Sequence, residues 1–204
     1  MREALFTLGR DGARVLEAAG SKPVRLERTP PAQLDHFLAV NTIRIAAELC
    51  GSLSYFFSYW ELPASGWRHP LIPDAVFALG DRNFAAEFDR GVEGIKFFMR
   101  TKVAVYRRGL PGFPFVAVLV VADRTARMEA LARAVGDGDG RFVFTTIDAI
   151  RDRGLLAPIY HRHPGAAAGP LVGACPPEVS RRNDTLRAPN DAEATGYKRS
   201  RAPS

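Results

Sequence analysis

Hydrophobic and polar positions follow helix and strand periods in turn through the middle of this chain. A helix is predicted from Asp35, a residue type favoured at N-caps, to about Leu49, before Gly51. The segment from Leu53 to Leu62 fits either a strand or the end of a helix, so the pattern leaves it open.

A β-hairpin is the next predicted element. Residues 73–79 alternate as a strand, residues 80–83 form a turn, and residues 84–89 alternate as the return strand. Acidic residues stand near the ends of this hairpin, at Asp74 and at Glu87 and Asp89.

The second half of the pattern predicts two helices and two strands. One helix covers residues 92–108, and the continuous apolar run at 113–121 is typical of a strand buried on both faces in a parallel arrangement. A helix at 125–135 and a strand at 141–147 follow. The order of helix, three strands, helix, strand, helix and strand predicts an α/β domain with a mixed sheet flanked by helices.

Composition divides the chain further. Residues 1–20 fit a short strand, a turn and a helix, which resembles the wing strand and last helix of a winged helix-turn-helix. Residues 20–33 contain Gly20, Ser21 and three prolines, and a linker is predicted over 21–33. The α/β domain is expected over 34–163, and a disordered tail poor in apolar residues over 164–204.

Charge favours a polyanionic partner. The 204 residues carry 28 Lys and Arg against 22 Asp and Glu, a net charge of +6, and the pI is near 9.7. Genome composition could equally produce the excess of arginine. The two cysteines fit neither a disulfide framework nor a zinc site. With neither a signal peptide nor a membrane-spanning run in the sequence, a cytoplasmic protein without a membrane partner is expected.

The three hairpin acids are the first candidates for chemistry. Glu87 and Asp89 are two residues apart on one strand and therefore project from the same face, while Asp74 comes from the paired strand. Carboxylates this close need a hard cation such as Mg²⁺ or Mn²⁺, or a basic residue, between them. The alternative is structural: Asp89 begins a turn, and Asp74 accepts a hydrogen bond from a nearby backbone N–H.

Lys102 lies near the centre of the apolar face of the helix predicted at 92–108. It could stabilise negative charge on a phosphate oxygen or orient a water, or it could simply pair with Glu87 or Asp89. Both interpretations stay open. Lys96, Arg100 and Arg107 occupy the opposite face, where they could contact nucleic acid or keep the helix soluble.

The helix predicted at 35–49 supplies three further candidates. Arg44 is a potential nucleic-acid contact, and Glu48 and His36 are potential accessory residues of an acidic site. A solvated polar stripe explains Arg44 and Glu48 equally well, and a histidine on an apolar face is more often a core residue. The His161 and His163 pair is too little for a metal site.

The arrangement of elements, with Pro-Asp opening one strand and Glu-x-Asp ending the next, resembles the PD-(D/E)xK nuclease-like superfamily, which has a restriction-endonuclease-like fold. The resemblance implies that Asp74 and Glu87 bind a metal ion. Asp89 stands where that superfamily has its lysine, so Lys102 would be a migrated equivalent.

A wider resemblance runs from about Ala4 to Tyr160. It is carried by the segment from Leu5 to Leu16, by His36-Phe-Leu-Ala-Val-Asn41, and by Pro73-Asp74-Ala75 ahead of Glu87-Phe-Asp-Arg-Gly91, Lys102 and Tyr106. In this order the motifs resemble the replication-relaxation family of plasmid and mobile-element proteins, which joins a winged helix to a nuclease-like domain. It implies a role in plasmid DNA replication or transfer, with double-stranded plasmid DNA as partner.

Three functions compete at this point. The first is a Mg²⁺- or Mn²⁺-dependent DNA endonuclease or nickase, without an organic cofactor, in which Asp74, Glu87, Asp89 and Lys102 act together. The second is a non-catalytic DNA-binding or scaffold protein of the same fold, which Asp89 in place of lysine favours. The third is a module that recruits a protein partner.

Overall fold

The computed structural model describes residues 14, 15, 18, 33–136 and 140–171. The chain divides into two compact units, Met1–Leu38 and Ala39–Ser204. Except for residue 33, the linker predicted at 21–33 lies outside the described residues, as do most of the winged-helix remnant predicted at 1–20 and the predicted tail beyond residue 171.

Five strands and the surrounding helices follow one another along the second unit. They are α1 (Leu34–Glu48, whose first five residues belong to the first unit), β1 (Leu53–Ser58), β2 (Ala75–Leu79), β3 (Arg82–Asp89), α2 (95–108), β4 (Ala117–Ala122), α3 (Thr125–Val135), β5 (Phe142–Thr146) and α4 (Ile147–Arg153).

The sheet is mixed, in the spatial order β1-β2-β3-β4-β5. The first three strands are antiparallel neighbours, whereas β4 runs parallel to both β3 and β5. The predicted α/β class with a mixed sheet flanked by helices is confirmed, and so is the parallel arrangement predicted from the apolar run before Ala122.

Helices cover both faces of the sheet. On one face, alternate strand residues such as Phe77 and Leu119 pack against α1 from Ala39 onward and against Ile150 of α4. On the other face, Val120 and its neighbours pack against α2 and α3. Strand residues alternate between the faces, so a central strand covered on both sides needs apolar residues throughout, as β4 has.

One local prediction needs correction, one open segment is resolved, and one helix was not predicted. The helix expected from Val92 begins at Ile95, because Val92 is 81% exposed and packs no apolar face. The open segment from Leu53 is a strand, since it pairs with β2. Helix α4 had no counterpart among the predicted elements, because seven residues are too few to establish a helical period.

The folded region also extends further than the predicted boundary at residue 164. Tyr160 and Gly169 form an antiparallel bridge, and Leu171 is buried in the core against the α1 face of the sheet. Residues 164–171 lack a periodic pattern because isolated bridges and a single buried leucine leave none. The predicted start of the tail is therefore wrong by at least eight residues.

Candidate functional site

A π-helical turn in α2 positions the candidate lysine. The helix consists of Ile95–Phe98, a π-helical segment Met99–Val103, and Ala104–Arg108. Within it the N–H of Ala104 donates to the carbonyl of Met99, five residues earlier. The wider turn lets Phe98 and Val103, five residues apart, both face the core, and such turns are frequent at functional sites.

Glu87 lies at the centre of the site. It belongs to β3, has no exposed surface, and faces the layer of α2. The Lys102 ammonium donates to its Oε2 at 2.5 Å, and the Tyr106 hydroxyl donates to its Oε1 at 2.5 Å. Both carboxylate oxygens of Glu87 are therefore bound by side chains one turn apart on α2.

Asp74, immediately before β2, is the second acid next to Lys102. Its Oδ2 accepts a hydrogen bond of 2.7 Å from the Phe88 N–H and lies 3.8 Å from the Lys102 ammonium. The structure thus combines the two alternatives for this residue, since Asp74 satisfies a backbone donor and also approaches the lysine. We refer to Asp74, Glu87, Lys102 and Tyr106 as the Lys102 cluster.

Asp89 is not part of this cluster, although it projects from the same face as Glu87. Its Oδ1 accepts hydrogen bonds from the Gly91 N–H at 2.7 Å and from Arg127 Nε at 2.8 Å, and its Oδ2 accepts from Arg127 Nη2 at 3.0 Å. Sequence reasoning missed Arg127, because an arginine in the first turn of α3 has no feature that distinguishes it from a solvent-facing one.

Burial and pairing shift the ionisation of the cluster. Burial raises the pKa of Glu87 to about 7, although the Lys102 charge opposes that shift. Burial alone would lower the pKa of Lys102, but attraction to Glu87 and Asp74 outweighs it and holds the pKa above its ordinary value. Burial also raises the pKa of Tyr106 well above its ordinary value, so this hydroxyl stays a donor.

The carboxylates of the Lys102 cluster are arranged to bind an ammonium group rather than a divalent cation. Lys102 already supplies positive charge to both Asp74 and Glu87, and both oxygens of Glu87 have side-chain partners. Throughout the described segments 33–136 and 140–171, no group of three or more His, Cys, Asp or Glu residues could hold a metal ion.

A comparison with known families decides the affiliation of the chain. The family model described as Replication-relaxation matches residues 1–110 of the 204. The chain belongs to the replication-relaxation family. The matched region contains the whole Lys102 cluster and ends before β4. No curated protein and no solved structure gives a significant match to the chain.

This replication-relaxation protein presents three of its four candidate DNA contacts to solvent on α2. Lys96 and Arg100 are both exposed, and the Arg100 guanidinium lies 5.7 Å from the centroid of the Phe97 ring. Arg107 is exposed too, but its Nη2 donates to the carbonyl of Val135 at the end of α3. A role for these three residues in DNA binding stays a prediction.

Arg44 is held between two carboxylates rather than presented to solvent. Its Nη1 lies 3.1 Å from both oxygens of Glu61, and its Nε lies 3.2 Å from Glu48. These ion pairs compete with a phosphate for the Arg44 charge, and its role in DNA binding stays a prediction. Helix α1 packs on the sheet face opposite the Lys102 cluster, so Glu48 does not join that cluster.

The histidines contribute no metal site to the described part of the family member. His36 belongs to the unit Met1–Leu38 and the acids belong to the other unit; its accessory role stays a prediction. The Nδ1 atoms of His161 and His163 lie 3.1 and 3.2 Å from backbone carbonyl oxygens.

Across the described residues, no helix is both long enough and apolar enough to cross a membrane.

We expect Lys102→Met to destabilise the protein by roughly 3 kcal/mol, because it leaves a buried carboxyl group without its charged partner. Adding Glu87→Gln should recover part of that loss, since the buried acid is then gone. The measurement is urea unfolding of both single variants and the double variant. Lys96→Met, which removes an exposed lysine from the same helix, should change the free energy of unfolding by less than about 0.5 kcal/mol. Additive losses in the double variant would contradict the pairing.

The raised pKa of Glu87 predicts a specific pH dependence. Between about pH 4.5 and 7 the folded protein keeps a proton that the unfolded chain releases, so the free energy of unfolding falls as pH rises through this window. Relative to Glu87→Gln, the fall should be on the order of 1–3 kcal/mol. Urea unfolding at half-unit pH intervals measures it. A difference that grows with pH would mean that Lys102 lowers the pKa instead.

Proposed function

We propose that this replication-relaxation protein associates with DNA in plasmid replication, relaxation or transfer, and that its α/β domain is a non-catalytic DNA-binding or scaffold unit. The observation that carries the second half is the Lys102 ammonium, 2.5 Å from Glu87 and 3.8 Å from Asp74. Family membership and the net charge of +6 support the first half.

The pairing of Lys102 argues against a catalytic role for this cluster. A lysine that stabilises a reacting phosphate needs its ammonium directed at substrate, whereas this one donates to a fully buried carboxylate. Glu87 has no surface through which substrate could reach it. Asp89, at the position of the nuclease lysine, is bound bidentately by Arg127. Each acid therefore has a structural partner.

Metal-dependent nicking is the second candidate, and one observation favours it. The side chains of Asp74 and Lys102 are 11% and 22% exposed, so solvent reaches the cluster from one side. The observed order of helix, three strands, helix and strand also agrees with the nuclease-like arrangement described above. Under this alternative Asp74 and Lys102 would be the residues closest to DNA.

DNA association predicts a steep salt dependence. The logarithm of the binding constant for a duplex should fall linearly with the logarithm of salt concentration, because phosphate contacts release counterions. Replacing Lys96 and Arg100 together by Gln should lower the slope by about 1–2. Fluorescence anisotropy from low to physiological salt measures this. Arg151→Gln, which removes an exposed arginine of α4 already paired with Asp148, serves as the matched control.

A salt-independent affinity, or no affinity for DNA, would contradict the proposal and favour a module that recruits a protein partner. An unchanged slope in the Lys96 and Arg100 double variant would leave DNA binding intact but move it to another surface.

If the α/β domain is non-catalytic, supercoiled plasmid should stay intact when it is incubated with the wild-type protein and Mg²⁺ or Mn²⁺. The assay is gel electrophoresis of the plasmid, with the Asp74→Asn variant in parallel because Asn keeps an acceptor for the Phe88 N–H. Nicking by the wild type that disappears in the variant would establish the nickase. Nicking that persists in the variant would mean that Asp74 is not responsible.

A further inference from the structure

Three exposed residues in the first half of α2 form a ridge on its surface. We call it the Phe97 ridge, and it consists of Lys96, Phe97 and Arg100. The Phe97 ring is 43% exposed, whereas its neighbour Phe98 is buried in the core. Arg100 lies over the Phe97 ring, 5.7 Å from its centroid. The ridge thus combines an accessible aromatic surface with two cations one helical turn apart.

The charges of the ridge are available to a ligand. Within the described part of the chain, neither Lys96 nor Arg100 makes an ion pair, in contrast to Arg44, Lys102 and Arg127. Arg100 contacts the Phe97 ring and stays exposed to solvent. A polyanion is therefore the partner that the charge of this surface fits.

The ridge is also held in place before any ligand binds. Arg127 donates to Asp89 at the end of β3 and, at 2.6 Å, to the carbonyl of Glu93 just before α2. On the inner side of the same helix, Phe98 is packed in the core. A surface fixed in this way loses little conformational entropy on binding.

We propose that the Phe97 ridge binds single-stranded DNA by stacking a base on the Phe97 ring, while Lys96 and Arg100 contact the adjacent phosphates. The proposal rests on the proposed association with DNA and specifies the form of DNA. Bases of a duplex are stacked on one another and cannot lie flat on a surface ring, whereas unpaired bases stack readily on exposed aromatics next to cations. The two cations alone would bind the phosphates of a duplex equally well, so the preference for single-stranded DNA depends on Phe97.

The test compares Phe97→Leu and Phe97→Trp with the wild type. Binding of a fluorescein-labelled 16-nucleotide oligothymidine and of a duplex of equal length is measured by anisotropy at one fixed salt concentration. Phe97→Leu keeps the size and apolar character of the side chain but removes the ring. We expect it to weaken single-strand binding roughly ten- to a hundredfold and duplex binding less than about twofold.

Phe97→Trp should bind the single strand at least as tightly as the wild type, and its added tryptophan emission should be quenched by the oligonucleotide. Leu49→Ala removes an exposed leucine from the turn that follows α1 and should change neither affinity. Circular dichroism and thermal unfolding verify that each variant keeps its fold.

Several results would overturn the inference. Single-strand binding of Phe97→Leu within twofold of the wild type would exclude stacking, and equal losses for both DNA forms would exclude a role specific to unpaired bases. A wild-type protein that binds the duplex with the expected salt dependence but not the single strand would overturn this inference and leave the proposed function standing. Binding to neither form would overturn both.

Discussion

The buried carboxylate of Glu87 is the constraint on which the packing of α2 against the sheet depends. A carboxyl group buried between a sheet and a helix costs several kcal/mol in lost hydration when it ionises, which only close and well-oriented partners offset. Both partners, Lys102 and Tyr106, come from α2, so the helix can dock on the sheet in one register only. Apolar contacts such as those of Phe98 and Val103 would tolerate small shifts along the strand direction, whereas a pair of hydrogen bonds to one carboxylate does not.

A second ion pair, between Asp89 and Arg127, fixes the position of the neighbouring helix α3 in the same way. Arg127 of α3 binds both oxygens of Asp89 and the carbonyl of Glu93, so the end of β3, the start of α2 and the first turn of α3 share one set of polar contacts. Gly91 makes this possible, because its φ of +75° turns the chain two residues after Asp89 and its N–H donates back to that carboxylate. The two acids two residues apart on β3 thus serve different helices, which explains why neither is free.

Periodicity was sufficient for most of the fold. Alternation identified the hairpin of β2 and β3, and the unbroken apolar run indicated a strand covered on both faces, because these patterns follow directly from which faces are buried. The lysine on an apolar helix face correctly indicated an inward partner. What periodicity could not supply are features set by tertiary contacts: the π-helical turn, the choice of Arg127 as partner of Asp89, the neutralisation of Arg44 by Glu61, and the burial of Leu171 after a segment without pattern.

The π-helical turn has a consequence for how sequences of this kind can vary. Each residue of an α-helix rotates the following side chains by about 100°, so removing one residue from Met99–Val103 would restore the regular period and turn Phe98 out of line with Val103 and Tyr106. Side-chain replacements in this segment leave the backbone path unchanged, but a change of length cannot be absorbed locally. Relatives that keep the buried glutamate should therefore differ here by substitution, with insertions and deletions confined to the loops on either side of α2.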